Sequence, residues 1–210
     1  MRSILLFLCI LIASGCRSPR ITTAWKADHA APLKYSKIVV VGITKGGDDS
    51  LRVQVERYFA LALNNLGYKA VSAVVEFGPK GLANLGEVDT YRKLCNDGID
   101  VVMTFALIDG NKEPRQKYRK IYGYPSNYYY NRIWNYKNIL ADMTGDNNTG
   151  DRYFWESILF NLNTLEAECT IQTRSFKDIR LAKRTHEFQM QVIQKMIREK
   201  VLEKQPPKPF

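Results

Sequence analysis

The sequence predicts an α/β (α+β) fold: a three-layered βαβαβ core, extended by an antiparallel β-hairpin and a C-terminal helix into a mixed sheet. Three observations carry that prediction. Ile38-Val39-Val40-Val41-Gly42-Ile43 and Val101-Val102-Met103-Thr104-Phe105-Ala106-Leu107-Ile108 are continuous apolar runs, long enough to be strands buried on both faces. Strand and helix patterns alternate with short joins across residues 38–108, as in right-handed β-α-β units. Two alternating runs then flank the polar turn Asn163-Thr164, which reads as an antiparallel hairpin with one wet face.

Each element has its own signal. After the first strand, Asp49 or Ser50 can cap a helix. In that helix Leu51, Val55, Phe59, Ala62 and Leu66 share one face, and Gly67 suits its C-terminus. Residues 70–77 form the second strand candidate, broken by Gly78-Pro79-Lys80-Gly81. A short helix follows with Val88, Tyr91, Leu94 and Cys95 on one face, and Gly98 ends it. In the hairpin, Ile158, Phe160 and Leu162 alternate with Ser157, Leu159 and Asn161, and Ala167, Cys169, Ile171 and Thr173 alternate with Glu166, Glu168, Thr170 and Gln172, so Cys169 falls on the drier face. The last helix covers residues 182–203 with Phe188, Val192, Ile193, Met196 and Ile197 inward, and residues 204–210 form a disordered tail.

Between the third strand and the hairpin the composition changes. Residues 113–150 are basic, aromatic and loop-like, carrying Tyr118, Tyr122, Tyr124, Tyr128, Tyr129, Tyr130, Trp134 and Tyr136 among Arg115, Lys117, Arg119, Lys120 and Arg132. A loop of this length inside a compact domain is uncommon and is often functional.

The N-terminus gives an address. Met1-Arg2-Ser3 is positive, residues 4–13 are apolar, and Ser14-Gly15 are small. This is the layout of a secretory signal, with an apolar run too short to span a bilayer. Ala13-Ser14-Gly15-Cys16 resembles the bacterial lipobox, with Ala13 where Leu is usual. The resemblance implies cleavage before Cys16 and acylation of its thiol. The expected organisation is a signal peptide over 1–15, a lipidated N-terminus and linker over 16–35, and one domain over 36–203. No acidic cluster follows Cys16, so the expected place is the outer membrane, facing the periplasm. Cys95 and Cys169 then remain, either as a pair or as two buried thiols. The net charge of +10 in an exported protein points to anionic head groups or to a solvated surface, not to nucleic acid.

With the order of elements complete, three stretches carry a further resemblance: Lys37-Ile38-Val39-Val40-Val41-Gly42-Ile43, Gly98-Ile99-Asp100-Val101-Val102 and Tyr153-Phe154-Trp155-Glu156-Ser157. The chain is similar to a family of uncharacterised Gram-negative envelope lipoproteins. In fold it is similar to the penicillin-binding-protein activator lipoprotein and to the N-terminal domain of the Tol translocation protein. That resemblance implies a module that binds other envelope proteins. The long disordered tether of the activator is missing: about 20 residues separate Cys16 from the first predicted strand, at most about 70 Å when extended.

The residues offer little chemistry. His29 lies in the predicted linker and His186 opens the last helix on a solvated face. No His, Cys or carboxylate set has metal-site spacing, and no serine stands in a nucleophile elbow. Lys45-Gly46-Gly47-Asp48-Asp49-Ser50 joins strand to helix but lacks a phosphate-loop ending. Asn147-Asn148-Thr149 matches a glycosylation pattern by chance. The expected protein is therefore not an enzyme, takes no cofactor or metal and has no catalytic residue. Tyr128, Tyr129, Tyr130 and Trp134 are the candidate partner-binding residues, because such rings bring large contact area with polar tips. Their partner is an envelope protein or a glycan. The same rings can instead pack over the domain or in a homodimer contact, and an unrecognised hydrolase is the remaining reading.

Overall fold

The computed structural model describes residues 20–32, 35, 37–43, 49–82, 85–108, 152–176 and 181–205. The elements are β1 (Arg20–Lys26), β2 (Ile38–Ile43), α1 (Asp49–Asn65), β3 (Ala70–Ser72), α2 (Ala73–Phe77), α3 (Glu87–Asn96), β4 (Val101–Ile108), β5 (Arg152–Asn161), β6 (Glu166–Phe176) and α4 (Leu181–Arg198). The strands form one open, mixed sheet in the order β1-β6-β5-β4-β2-β3. β2 runs parallel to β3 and β4, and the remaining pairs are antiparallel.

Helices cover both faces, because the central strands are apolar on both. On one face Ile38, Val40, Val101, Met103, Phe105, Trp155, Leu159, Cys169 and Ile171 pack under Val55, Phe59 and Leu63 of α1 and Phe188, Val192 and Met196 of α4. On the other, Val39, Val102, Ile158, Phe160 and Ala167 pack with Ala73 of α2 and Leu94 of α3. The first face is built around aromatic rings. Phe105 stacks on Trp155 with centroids 4.5 Å apart, and Phe59 and Phe188 stand 5.1 and 4.9 Å from Phe105. Such offset or tilted contacts add to the burial of the rings themselves.

Several expectations need correction. Residues 20–26 are not part of a linker: β1 pairs antiparallel with β6 and forms an edge of the sheet. Arg20-Ile21-Thr22-Thr23-Ala24-Trp25-Lys26 has the alternating, β-branched character of a half-buried strand. Only residues 17–19 then separate Cys16 from the sheet. The strand predicted over 70–77 stops at Ser72, and Ala73–Phe77 is a helical turn. Ser72 caps it, its Oγ accepting from Val75 N at 3.3 Å.

Among its described residues, the face of the hairpin expected to be wet is buried from Glu168 to Gln172. Glu156, Glu168, Thr170 and Gln172 are as buried as the apolar residues between them. Nor do its apolar residues share one face. The register slips between Leu159 and Phe160, where Leu159 faces Cys169 but Phe160 faces Ala167, so Glu168 is an extra residue. A bulge of this kind moves everything beyond it to the opposite side. Ala167 therefore joins Phe160, while Cys169 and Ile171 join the face under α1 and α4.

At the C-terminus, α4 ends at Arg198, before the residue expected, and Lys200 at φ 56° turns the chain. Ile197 is exposed, whereas Val201 and Leu202 are buried. Glu203 N donates to Tyr68 Oη at 3.1 Å and Gln205 N to Leu66 O at 2.7 Å, so the chain is held as far as Gln205. Gln205 lies against Gly67, whose φ of 92° and missing Cβ make the contact possible: a Cβ there would stand 2.8 Å from Gln205 Cβ. Residues 206–210 lie outside the described residues.

The register also fixes what lies at each end of the sheet. Arg20 pairs with Arg174, Arg174 with Phe154, and Phe154 with Ile108. The start of β1, the end of β4 and the start of β5 are thus at one end, as is the end of β2, since Ile43 pairs with Ala106. The hairpin turn at Asn163 and Thr164 is at the other.

Phe59 is fully buried at the centre of the ring cluster, and Leu61, two residues on, is 56 % exposed. Phe59→Ala is expected to destabilise the domain by about 3–5 kcal/mol, and Leu61→Ala by no more than about 0.5 kcal/mol. Urea denaturation of the two variants measures both. Similar losses would contradict the packing described.

Candidate functional site

In open α/β sheets ligands favour the carboxyl ends of the strands at the point where connections leave to opposite faces. Here that point lies between β2 and β4. The chain leaves β2 through α1 on one face to reach β3, and returns through α2 and α3 on the other to reach β4. A carboxylate sits beside this point. Glu56, on the inner face of α1, is 1 % exposed. Its Oε1 accepts from Gly42 N at 2.9 Å, and its Oε2 from Ser72 Oγ at 2.6 Å and Val74 N at 2.8 Å.

The arrangement follows from the shortness of β3. Its pairing with β2 stops at Val40↔Ser72, and beyond it Glu56 takes the Gly42 N–H. The same carboxylate receives an N–H from the first turn of α2, which a helix of that length cannot satisfy internally. Gly42 admits the close approach: a Cβ would lie 2.9 Å from Arg52 Cγ and 3.3 Å from Glu56 Cγ. Burial raises the Glu56 pKa, and the bonds from Ser72, Val74 and Gly42 act against that rise without cancelling it. With both oxygens engaged by structural donors, Glu56 is a staple joining β2, α1 and α2.

A second group of polar side chains lies across β4, β5 and β6 on the face that carries α2 and α3. Thr104, Glu156, Thr170 and Gln172 are each no more than 2 % exposed. Glu156 pairs across the sheet with both Ala106 and Gln172, and Gln172 Nε2 donates to Glu156 Oε1 at 3.0 Å. The sequence concealed this group, because polar residues in strict alternation read as a wet face. A third group lies at the far end. His29 Nε2 stands 3.1 Å from Glu166 and 3.7 Å from Glu168, and Glu168 Oε1 accepts from Asn161 Nδ2 at 3.0 Å. It fastens the turn after β1 to the hairpin.

The residues selected from sequence divide sharply. Cys16, Tyr128, Tyr129, Tyr130 and Trp134 lie outside the described residues, as do Lys45, Gly46, Gly47 and Asp48 and the glycosylation-like Asn147. His186 is exposed, with its ring 6.0 Å from that of Tyr58. Cys95 was expected at a core position and is exposed on α3; Cys169 is fully buried. Both thiols are free, and they belong to opposite sides of the sheet, Cys169 packing under α1 and α4. Among the described residues no group of three or more His, Cys, Asp or Glu could hold a metal ion, and no helix is long and apolar enough to cross a membrane.

Two expected outcomes follow. Burial pushes the Cys169 thiol up to about 12, so a thiol reagent at neutral pH labels Cys95 in the native protein and Cys169 only after unfolding. Equal labelling of the native protein would contradict this. The raised Glu56 pKa favours its protonated form in the folded state. Its contribution is therefore full below the unfolded value near 4.5 and is lost as pH rises through the folded value. Denaturation midpoints over that range should show a stability component falling with pH that Glu56→Gln removes. An unchanged pH profile in the variant would refute the assignment.

No protein-family description matches the chain, and neither does any curated protein. Solved structures of the PelC dodecamer from Paraburkholderia phytofirmans are similar in outline. In space group P6 the likeness has a TM-score of 0.45 and 10% identity, over 87% of this chain and 99% of that one. A variant in space group C2 gives 0.43 and 10%, over 81% and 96%. A likeness this distant assigns neither activity nor partner.

Proposed function

We propose that the chain is a lipid-anchored, non-enzymatic envelope lipoprotein that binds another envelope protein close to the membrane through its Tyr-rich insertion. One observation carries the reading. The β4–β5 ladder runs unbroken to Ile108↔Phe154, so the chain leaves β4 and re-enters β5 at neighbouring positions. Two residues suffice to close an antiparallel hairpin; residues 109–151 are an excursion that the sheet does not require. The strand positions from which it departs, Ile108 and Phe154, lie close along the chain to the stacked rings of Phe105 and Trp155. A binding segment rooted on a rigid frame loses less conformational freedom on association.

The anchor supports the location. Cys16 is the acylation site in this reading, and two or three acyl chains hold a protein at a membrane where one is marginal. The outer membrane is the site and the periplasm the compartment. The short span from Cys16 to β1 keeps the partner near the bilayer, and the insertion leaves the sheet at the end where β1 begins. A glycan remains the alternative ligand for the same rings, since aromatic faces interleaved with Arg and Lys suit sugars and their charged substituents.

The test is in-cell crosslinking and recovery of the tagged protein, compared with a variant in which residues 118–136 are replaced by a short Asn-Gly turn. Because the feet are adjacent, the variant should keep its denaturation midpoint. An envelope protein should be recovered with the native chain and at least about tenfold less with the variant, the equivalent of about 1.4 kcal/mol. Replacing Tyr128, Tyr129, Tyr130 and Trp134 by Ala should reproduce most of the loss. Equal recovery from both strains would refute docking through the insertion, and Cys16→Ala should release the protein from the membrane fraction.

A further inference from the structure

We propose that the outer face of the α1–α4 pair is a docking surface for a second copy of this chain. α1 of each copy lies along α4 of the other, about a two-fold axis parallel to the helices. The contact is built from described helix side chains and depends neither on the anchor nor on the Tyr-rich insertion.

The two helices lie side by side and run the same way. The Tyr58 ring is 6.0 Å from that of His186, Phe59 is 6.3 Å from Phe188, and Gln189 donates its side-chain amide to Tyr58 O. Past both helix ends the chain is still joined, Gln205 N donating to Leu66 O. At 3.6 residues per turn, the second residue after an inward one points to roughly the opposite side. Leu61 follows the buried Phe59 by this step, and Met190 follows the buried Phe188; they are 56 % and 38 % exposed. One turn leads from Tyr58 to Leu61 and from His186 to Met190, so the two exposed apolar side chains stand level. Arg57 and Asn64 share the face of Leu61 at i−4 and i+3, and Glu187 and Gln194 share that of Met190 at i−3 and i+4. All four are exposed.

Along its axis α1 therefore presents a cation, an apolar side chain and an amide. At the same levels α4 presents an anion, an apolar side chain and an amide. A two-fold axis along the helices exchanges their places and keeps the levels. Arg57 then meets Glu187 of the second copy, Leu61 meets its Met190 and Asn64 its Gln194. Each contact occurs twice, as a self-complementary interface requires. Charge selects this arrangement over the other two-fold pairing. An axis across the helices would lay α1 antiparallel on α1 and set Arg57 against Asn64 and Glu187 against Gln194, leaving both charges unmatched. The chosen axis also brings the starts of β1 in both copies to one end, because α1 follows β2 and the end of β2 is level with the start of β1. Two chains anchored in one bilayer need that polarity.

The full chain, purified from membranes in detergent, is followed by sedimentation velocity over a concentration series. A monomer–dimer equilibrium is expected. Arg57→Glu sets like charges against each other at both charged contacts and should raise the dissociation constant at least about tenfold. Glu187→Arg should do the same, and the two substitutions together should return most of the lost affinity. Each variant should keep the native denaturation midpoint at dilutions where the chain is monomeric, since both positions are exposed.

Cross-linking checks the geometry in a Cys95→Ser background, where Cys169 is buried. Chains carrying Leu61→Cys and chains carrying Met190→Cys are mixed, equilibrated and oxidised with copper phenanthroline. The mixture should give several-fold more covalent dimer than either chain alone. Leu61→Cys chains that link to one another instead would show the antiparallel pairing and overturn the proposal. A monomer at every concentration, a dimer indifferent to Arg57→Glu, or a double variant as weak as the single ones would overturn it as well.

Discussion

The stack of Phe105 on Trp155 is the contact on which the architecture depends. Phe105 belongs to the parallel half of the sheet and Trp155 to the antiparallel half. Their rings lie 4.5 Å apart and nearly parallel. Phe59 from α1 and Phe188 from α4 close on the pair from above, so four elements distant in sequence meet in one cluster. Gln189 reinforces the meeting of the two helices by donating its side-chain amide to Tyr58 O. A βαβ unit followed by a hairpin could fold as two loosely joined pieces. Here the junction strand β4 is paired on both sides, to β2 and to β5, and the rings fill the space over the junction. The cluster lies toward the end of the sheet at which β4 ends and β5 begins.

The two faces of the sheet are used differently. Under α1 and α4 the packing is almost wholly apolar. Under α2 and α3 it is apolar only toward the end where Val39, Val102, Phe160 and Leu94 gather. Toward the other end the same face carries Thr104, Thr170, Glu156 and Gln172. Burying a carboxylate and an amide there has a cost unless their polar atoms are matched, and the Glu156–Gln172 bond supplies part of the match. Glu56 solves a similar problem nearby, where β3 stops short and leaves N–H groups to be satisfied. In both places a side chain from one element completes the hydrogen bonding of another, and in both the groups are buried, so their arrangement is specific.

How much of this was legible depended on whether the cause was local. The strands at 38–43 and 101–108 were legible because burial on both faces leaves continuous apolar runs, and α1 and α4 because their inner faces repeat at helical spacing. β1 was not, since Arg20-Ile21-Thr22-Thr23-Ala24-Trp25-Lys26 is short and half polar, and what makes it a strand is the edge of β6. Val74, Val75 and Phe77 have strand propensity, yet they form a helical turn because Ser72 and Glu56 bond to its opening N–H groups; the second of these comes from eighteen residues upstream, a contact that the local pattern does not announce. The face swap after Leu159 has the same character. Nothing in Glu166-Ala167-Glu168-Cys169 announces that Glu168 will be the extra residue. For the candidate sites, composition drew attention to the Tyr-rich insertion and missed the polar group around Glu156, whose alternation imitates an exposed strand face.

The edge strand that escaped the sequence also changes the functional argument most. With β1 counted as linker, an anchor at Cys16 would leave the domain free to roam some tens of ångströms and to present any face to any neighbour. With β1 in the sheet, the direction in which it runs decides the matter. It lies antiparallel to β6, so its first residue is level with the last residues of β6 and with the feet of the insertion. Had it run the other way, the N-terminal segment would enter the sheet at the hairpin end, far from residues 109–151. One strand's polarity, set by which of its residues pair with Thr173 and Cys169, thus decides whether the N-terminal segment enters the sheet at the end where residues 109–151 leave it or at the hairpin end. On the anchored reading proposed above, residues 109–151 leave the sheet at the end nearer Cys16, and a partner that meets them would lie against or within the same bilayer.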